Sequence, residues 1–301
     1  MADFDTYEEM VFPGPLSTNY LNGHYYGLPL DTNTRVLIYN EEMFAEAGIE
    51  NPPATMDEFL EVCEAIKGLG EDKYCFADDG TNGWAMLPWI WSFGGSLTDA
   101  EITTAAGYLN GDASKAAYEF LKNLLDEGYL HPGILGGSFD RWGAFGNGEV
   151  AMILEGPWFP TYFSMDTEYG YAPMLTGDGG SISVVGGEDI VMFQQSENKE
   201  AAAEFIRFML SEDAQMKLAE VGQMPVIKSS LDTDYVKNHP YFGYFLEQLE
   251  TAKSRTSHPK WTEIEDIFDL AGGRFLAGEG TFEEIFEPAV AEIDALLPLD
   301  Q

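Results

Sequence analysis

The sequence predicts an α/β protein with a sheet that is largely sandwiched between helices. Short apolar runs typical of buried strands alternate with helical patterns of period 3.6, and turns rich in glycine or proline separate them. Because strands and helices are interleaved rather than segregated, helices are expected on both faces of the sheet.

The first clear strand and helices follow a turn-rich opening. Val36–Tyr39 is an unbroken apolar run typical of a buried strand, and Asn40 can cap a short helix that reaches Ala47. The next helix begins after Thr55, because a glutamate three residues later completes a capping box. Its predicted buried face consists of Phe59, Val62, Cys63 and Ile66.

The alternation continues to the C-terminus. Further strands are predicted at 74–77, 150–154, 169–172, 182–185 and 190–193. Further helices are predicted at 84–91, 112–127, 139–145, 199–210, 212–221, 241–252, 261–271 and 281–297.

Charge and composition limit the possible partners. The 301 residues include 52 Asp and Glu against 15 Lys and Arg, a formal net charge of −37. A field this negative repels phosphate backbones, which excludes nucleic acid as a partner, and it disfavours anionic membrane surfaces. The most apolar window, Trp84–Phe93, is far shorter than the ~20 residues of a spanning helix. The acidic N-terminus lacks the pattern of a secretory signal, so none is expected in this chain.

The two cysteines admit two interpretations. Cys63 and Cys75 are either two small buried apolar residues or one disulfide that ties a helix to the next strand. Two cysteines form neither a metal site nor a disulfide framework by themselves, and no metal or cofactor is expected.

Several stretches, in order, resemble the extracellular solute-binding proteins of sugar ABC importers, the maltose-binding-protein-like family. Each stretch is weak alone, but their common order from about residue 20 to the C-terminus is specific. The matching segments are 22–31 running into 36–40, 52–59 with Met56 where tryptophan is usual, 145–152 followed by Gly156-Pro157-Trp158, 201–205, 224–226, 259–261 and 282–284.

The resemblance implies a periplasmic-binding-protein-like type II fold, with two lobes joined by a hinge. It implies an extracytoplasmic lipoprotein that captures an oligosaccharide or other neutral sugar in a cleft between the lobes, without chemistry, and passes it to ABC permease subunits. Two alternatives stay open. One is a secreted carbohydrate-active enzyme with two carboxylates ~5–10 Å apart, and the other is a vestigial interaction domain.

The first lobe is expected to be incomplete, because the strands and helices that open the family fold have no counterpart before residue 20. Residues 34–187 and 238–301 are predicted to form a complete C-terminal lobe, and residues 1–33 and 188–237 a remnant of the N-terminal lobe. The remnant would leave Phe205, Phe208 and Met209 partly exposed on the helix 199–210 and favour self-association.

Three tryptophans are candidate stacking surfaces for a sugar ring. Trp84 matches the position of an aromatic residue that the family places against a sugar. Trp158 follows the rigid Gly156-Pro157 strand end, and Trp261 begins a late helix in a region where the family offers another aromatic residue.

Polar candidates for the sugar hydroxyls lie near the predicted hinge and beside Trp84. Asp31 is a candidate acceptor, although it could instead cap a local turn or pair with Arg35, which is itself a candidate ligand clamp. Asn82 either contacts ligand or holds its loop. Gly187 would let backbone amides approach the ligand, and Glu188 is either a hydroxyl acceptor or a solvated turn charge.

Overall fold

A four-stranded mixed sheet organises one of the two units into which the chain divides. The computed structural model describes residues 4–21 and 23–298. Unit 1 contains the N-terminal segment up to Arg35 together with Glu155–Ser164 and Val185–Ser254. Unit 2 contains Val36–Leu154, Met165–Val184 and the C-terminal segment from Arg255.

The predicted α/β class is confirmed by the order of the elements. The strands are β1 Tyr20–Leu21, β2 His24–Tyr25, β3 Leu28–Pro29, β4 Asn33–Thr34, β5 Val36–Asn40, β6 Tyr74–Ala77, β7 Val150–Glu155, β8 Tyr169–Ala172, β9 Thr176–Gly177, β10 Gly180–Ser181, β11 Val185–Gly186 and β12 Asp189–Ile190. The helices are α1 Phe4–Met10, α2 Pro13–Ser17, α3 Glu41–Glu46, α4 Met56–Lys67, α5 Gly83–Ser92, α6 Asp112–Asp126, α7 Arg141–Gly146, α8 Phe159–Tyr162, α9 Lys199–Met209, α10 Glu212–Glu220, α11 Asp234–Lys237, α12 Phe242–Leu249, α13 Trp261–Leu276 and α14 Phe282–Leu296. Short 3₁₀ turns occupy Pro132–Leu135 and Lys228–Asp232.

The sheet of unit 2 has the strand order β6-β7-β5-β8. β6 pairs with β7 in parallel, and β8 pairs with β5 antiparallel, so the sheet is mixed. Every residue of β7 is buried, as expected for an apolar run at the centre of a covered sheet. Trp89, which is 2% exposed, packs edge-to-face against Phe59 and Phe76 in the same core.

The helix α4 forms as its sequence predicts. The Thr55 side chain accepts a hydrogen bond from the Glu58 amide, and the Glu58 carboxylate accepts one from the Thr55 amide. The four predicted core residues of this helix are all buried. One of them, Cys63, forms a disulfide with Cys75 of β6, so the second interpretation of the cysteines is the correct one.

Unit 1 is built from two-residue strand pairs and helices. β3 pairs with β12 and β4 pairs with β11, both antiparallel, so residues 28–34 lie against residues 185–190. The buried Gln215 of α10 joins distant segments, because its amide donates to the Leu30 carbonyl (2.7 Å) and accepts from the Val226 amide (2.8 Å). The predicted strands at 182–185 and 190–193 are reduced to these short pairs.

The units and the predicted lobes differ in two longer segments and by two or three residues at the crossings, 34–35 and 185–187. Glu155–Ser164 lies in unit 1, where Gly222 packs against Trp158: a Cβ at position 222 would lie 2.9 Å from the Trp158 Cα. Residues 238–254 also lie in unit 1, where α12 contacts β4 and the Lys253 carbonyl accepts a hydrogen bond from Val185. The assignment of the units to lobes of the family fold stays a prediction.

One face of α9 is apolar and solvent-exposed, as predicted. Phe205 is 56% and Phe208 59% exposed, whereas Ile206 and Leu210 of the same region enter the core of unit 1. No helix within residues 4–21 and 23–298 has the length and apolar character needed to cross a membrane.

The disulfide should contribute substantially to stability. It closes a loop over a sequence separation of 12 residues, and loop-closure entropy then predicts about 3 kcal/mol. The Cys63→Ala/Cys75→Ala variant should lose about that much free energy of unfolding in urea titrations. A reducing agent should destabilise the wild type and leave the variant unchanged; equal curves for both proteins without reductant would contradict the prediction.

The exposed α9 face should cause self-association. Light scattering coupled to size-exclusion chromatography should show a mass that rises with concentration, and Phe205→Ser/Phe208→Ser should reduce this rise because it removes apolar area from solvent. Leu270→Ser, at a residue 66% exposed in unit 2, is the matched control and should leave the rise unchanged. A wild-type monomer at every concentration would show the prediction to be wrong.

Candidate functional site

Asn82 fixes the start of α5 and thereby the position of Trp84. Its side-chain oxygen accepts hydrogen bonds from the amides of Trp84 (2.9 Å) and Ala85 (3.1 Å). Asn82 is therefore an N-cap, which agrees with the structural alternative considered for it. The cap holds Trp84 in the first turn of the helix, where the side chain is half-buried.

Gly83 precedes Trp84 and packs against Trp261, so it links the two candidate tryptophans of unit 2. A Cβ at this position would lie 3.0 Å from Cζ2 of Trp261, so the absence of a side chain allows the second indole to pack directly against the backbone that precedes the first. Trp261 is half-buried, and its buried Nε1 has no hydrogen-bond partner among the described residues. Trp84 and Trp261, far apart in sequence, thus belong to one local arrangement.

Two charged residues that the sequence analysis did not select complete this arrangement. The Glu265 carboxylate accepts a hydrogen bond from the Gly83 amide (3.0 Å) and lies 3.9 Å from Nη1 of Arg255. The Arg255 guanidinium lies 5.8 Å from the centroid of the Trp84 ring, a cation–π distance. The i, i+4 spacing of Trp261 and Glu265 on α13 could have indicated Glu265, whereas Arg255 lies outside any helix or strand and carried no signal.

In unit 1, Asp31, Gly187 and Glu188 come together. Asp31 is 4% exposed, and its carboxylate accepts a hydrogen bond from the Glu188 amide (3.2 Å). Gly187 has φ 134°, and a Cβ there would lie 2.5 Å from the Asp31 carbonyl oxygen. Position 187 therefore requires glycine, because the backbone there packs closely against Asp31. Arg35, which is 1% exposed, is deeply buried.

The Asp31 carboxyl is electrostatically unusual. Burial, together with the hydrogen bond and negative charge of Glu188, raises the pKa of Asp31 to about 8. Burial also raises the pKa of Asp189, and hydrogen bonds from Asn19 and Thr18 partly offset this effect. The crossing strands of unit 1 therefore place the buried Asp31 carboxyl beside the exposed carboxyl-bearing residues Glu188 and Asp189.

Trp158 is held separately, also in unit 1. Its indole N–H donates to the buried Glu155 carboxylate (3.0 Å), and its ring lies over Gly156, where a Cβ would be 2.3 Å from Cη2. Trp158 thus lies in unit 1, and Trp84 and Trp261 lie in unit 2. Within residues 4–21 and 23–298, no group of three or more His, Cys, Asp or Glu side chains is arranged to hold a metal ion.

Comparison with known proteins gives consistent matches. The family model described as "Bacterial extracellular solute-binding protein" matches residues 2–243. A binding protein of Brucella abortus is 30% identical over 94% of this chain and 70% of its own length. The maltotriose-binding protein of Pyrococcus abyssi is 25% identical over 91% of this chain and 58% of its own length. The structure of maltose-bound MalE3 from T. maritima superposes with a TM-score of 0.85 at 25% identity, covering 98% of this chain and 79% of that protein.

The raised pKa of Asp31 predicts a characteristic pH dependence of stability. In the unfolded chain this group ionises near its ordinary pKa of about 4, whereas in the native state it does so at about 8. Between these values the native state holds the extra proton, so the free energy of unfolding should fall as the pH rises. Asp31→Asn, which keeps an acceptor for the Glu188 amide, should flatten this decline and raise the thermal midpoint at pH 8.

Asp166→Asn removes an exposed carboxylate of unit 2 and serves as the control for charge alone. Its thermal midpoints should follow those of the wild type from pH 4 to pH 8. If the Asp31→Asn midpoints also run parallel to the wild type, the pH dependence does not arise from Asp31.

Proposed function

The chain belongs to the bacterial extracellular solute-binding proteins, and from this premise we propose that it captures a neutral oligosaccharide for an ABC importer. The proposal draws on relatives whose names and structures record maltotriose and maltose as ligands. Members of this family and the structural neighbours are binding proteins rather than enzymes. The enzyme alternative therefore loses its support.

The observation that carries the proposal is the arrangement of Trp84 and Trp261 around Gly83. Two half-buried indoles offer flat apolar surfaces for the C–H faces of sugar rings. Arg255 and Glu265 beside them supply hydrogen-bond donors and an acceptor for hydroxyls. Apolar faces combined with a few polar groups are the usual composition of a site for small polyols.

We also assign the other predicted residues to ligand binding. Asp31 and Glu188 would accept hydroxyl hydrogen bonds, and the raised pKa of Asp31 lets it also donate. Trp158 would stack on a ring, because its bond to Glu155 fixes the plane of the indole. Asn82 and Gly187 would act through the backbone they position, and the buried Arg35 by holding the crossing segment.

The partners and location follow from the same premise. We propose that the protein acts outside the cytoplasm and delivers its ligand to ABC permease subunits. The disulfide between Cys63 and Cys75 supports this location, since such bonds persist in oxidising compartments. The net charge of −37 disfavours polyanionic ligands and fits a neutral sugar.

Calorimetric titration with maltotriose and a panel of other neutral oligosaccharides tests the proposal. Trp158→Ala should weaken binding by about 1–3 kcal/mol, the range for removal of an aromatic anchor. Trp158→Phe should keep most of the affinity, because the phenyl ring preserves a stacking face while losing the N–H that serves Glu155. Phe193→Ala, which truncates an aromatic residue 76% exposed in the same unit, is the control.

Thermal unfolding of each variant separates loss of binding from loss of fold. Chromatography of the sugars after long incubation should return them unchanged. A folded wild type that binds no neutral sugar, or one that cleaves its ligand, would refute the proposed function. Unchanged affinity in Trp158→Ala would remove only Trp158 from the site.

A further inference from the structure

Glu265 occupies a position that serves two neighbours at once. Its Oε1 accepts the Gly83 amide hydrogen bond at 3.0 Å and lies 3.9 Å from the Arg255 guanidinium. The same guanidinium lies 5.8 Å from the Trp84 ring. The positive charge beside the tryptophans is therefore matched by one carboxylate within the same arrangement.

This ion pair has little to contribute to stability. The Arg255 side chain is 39% and that of Glu265 23% exposed, and pairs in contact with solvent add little to the free energy of unfolding. The consequence for a ligand is larger. An arginine beside aromatic faces is a preferred partner of phosphate and carboxylate groups. A carboxylate 3.9 Å away opposes such a group by like-charge repulsion.

We propose that Glu265 is a specificity-determining residue, which makes the tryptophan site of unit 2 select neutral polyols over phosphorylated ones. The inference rests on the proposed function and adds a physical basis for discrimination between neutral and phosphorylated ligands. Neutral hydroxyls accept hydrogen bonds from Arg255 and donate to Glu265, so they use both members of the pair. A phosphate monoester can accept hydrogen bonds from Arg255, but its charged oxygens have no proton to donate to Glu265. The phosphate is therefore repelled by that carboxylate.

A purely structural role for Glu265 makes a different prediction. If the carboxylate only held Gly83 in place, any variant that keeps an acceptor would leave ligand preference unchanged. Glu265→Gln retains an oxygen for the Gly83 amide and removes the negative charge. Glu263→Gln makes the same charge change two residues away on α13, at an exposed position on another side of the helix, and is the matched control.

The experiment compares calorimetric titrations of maltotriose and maltotriose 1-phosphate with the full chain. The wild type should prefer the neutral sugar, and Glu265→Gln should reduce that preference roughly tenfold or more. Glu263→Gln should keep the wild-type preference. The phosphate affinity gained in Glu265→Gln should fall with added salt, and it should be lost in Glu265→Gln/Arg255→Gln because the cation is then absent.

The outcomes separate the two claims. If the wild type binds maltotriose and Glu265→Gln leaves the preference for the neutral sugar unchanged, Glu265 does not determine specificity, and the proposed function stands. If the wild type prefers the phosphate, the inference is likewise wrong. If the folded wild type binds neither maltotriose nor any other neutral oligosaccharide, the proposed function fails and the inference with it.

Discussion

The antiparallel pairing of residues 28–34 with residues 185–190 is the constraint on which the organisation of unit 1 depends. Two two-residue ladders, β3 with β12 and β4 with β11, bring together segments more than 150 positions apart in sequence. Gly187 permits the closest approach, because any side chain there would overlap the Asp31 carbonyl. Asp31 and Glu188 become neighbours as a result, and the burial of this crossing raises the pKa of Asp31.

In unit 2, the carboxylate of Glu265 connects three groups. Glu265 satisfies the first amide of α5, faces Arg255, and is one turn along α13 from Trp261. An orphan amide at a helix N-terminus needs an acceptor, and here the acceptor comes from a helix nearly two hundred residues later. The same contact that completes the helix therefore sets the electrostatic character of the surface beside the two indoles.

The strongly acidic composition suits both proposals. A net charge of −37 favours solubility and disfavours the approach of anionic ligands. Arg255 is one of only 15 Lys and Arg residues in this acidic chain, and under the proposed specificity its pairing with Glu265 sets the ligand preference. The disulfide between α4 and β6 adds a covalent link inside the core of unit 2, at a helix whose capping box and buried face are both encoded locally.

The sequence by itself determined the elements whose causes are local: the α/β class, the capping box and buried face of α4, and the apolar strand β7. These depend on periodicity and on contacts within a few residues, and the order of short motifs sufficed to indicate the family.

The tertiary structure alone decided which cysteine interpretation holds, that Glu155–Ser164 joins unit 1, and that Asn82 is an N-cap beside Trp84. It also revealed Arg255 and Glu265, which no motif marks. Their pairing with Trp84 and Gly83 depends on contacts between residues more than 170 positions apart. Local sequence patterns do not show which distant side chains will come into contact in the folded protein.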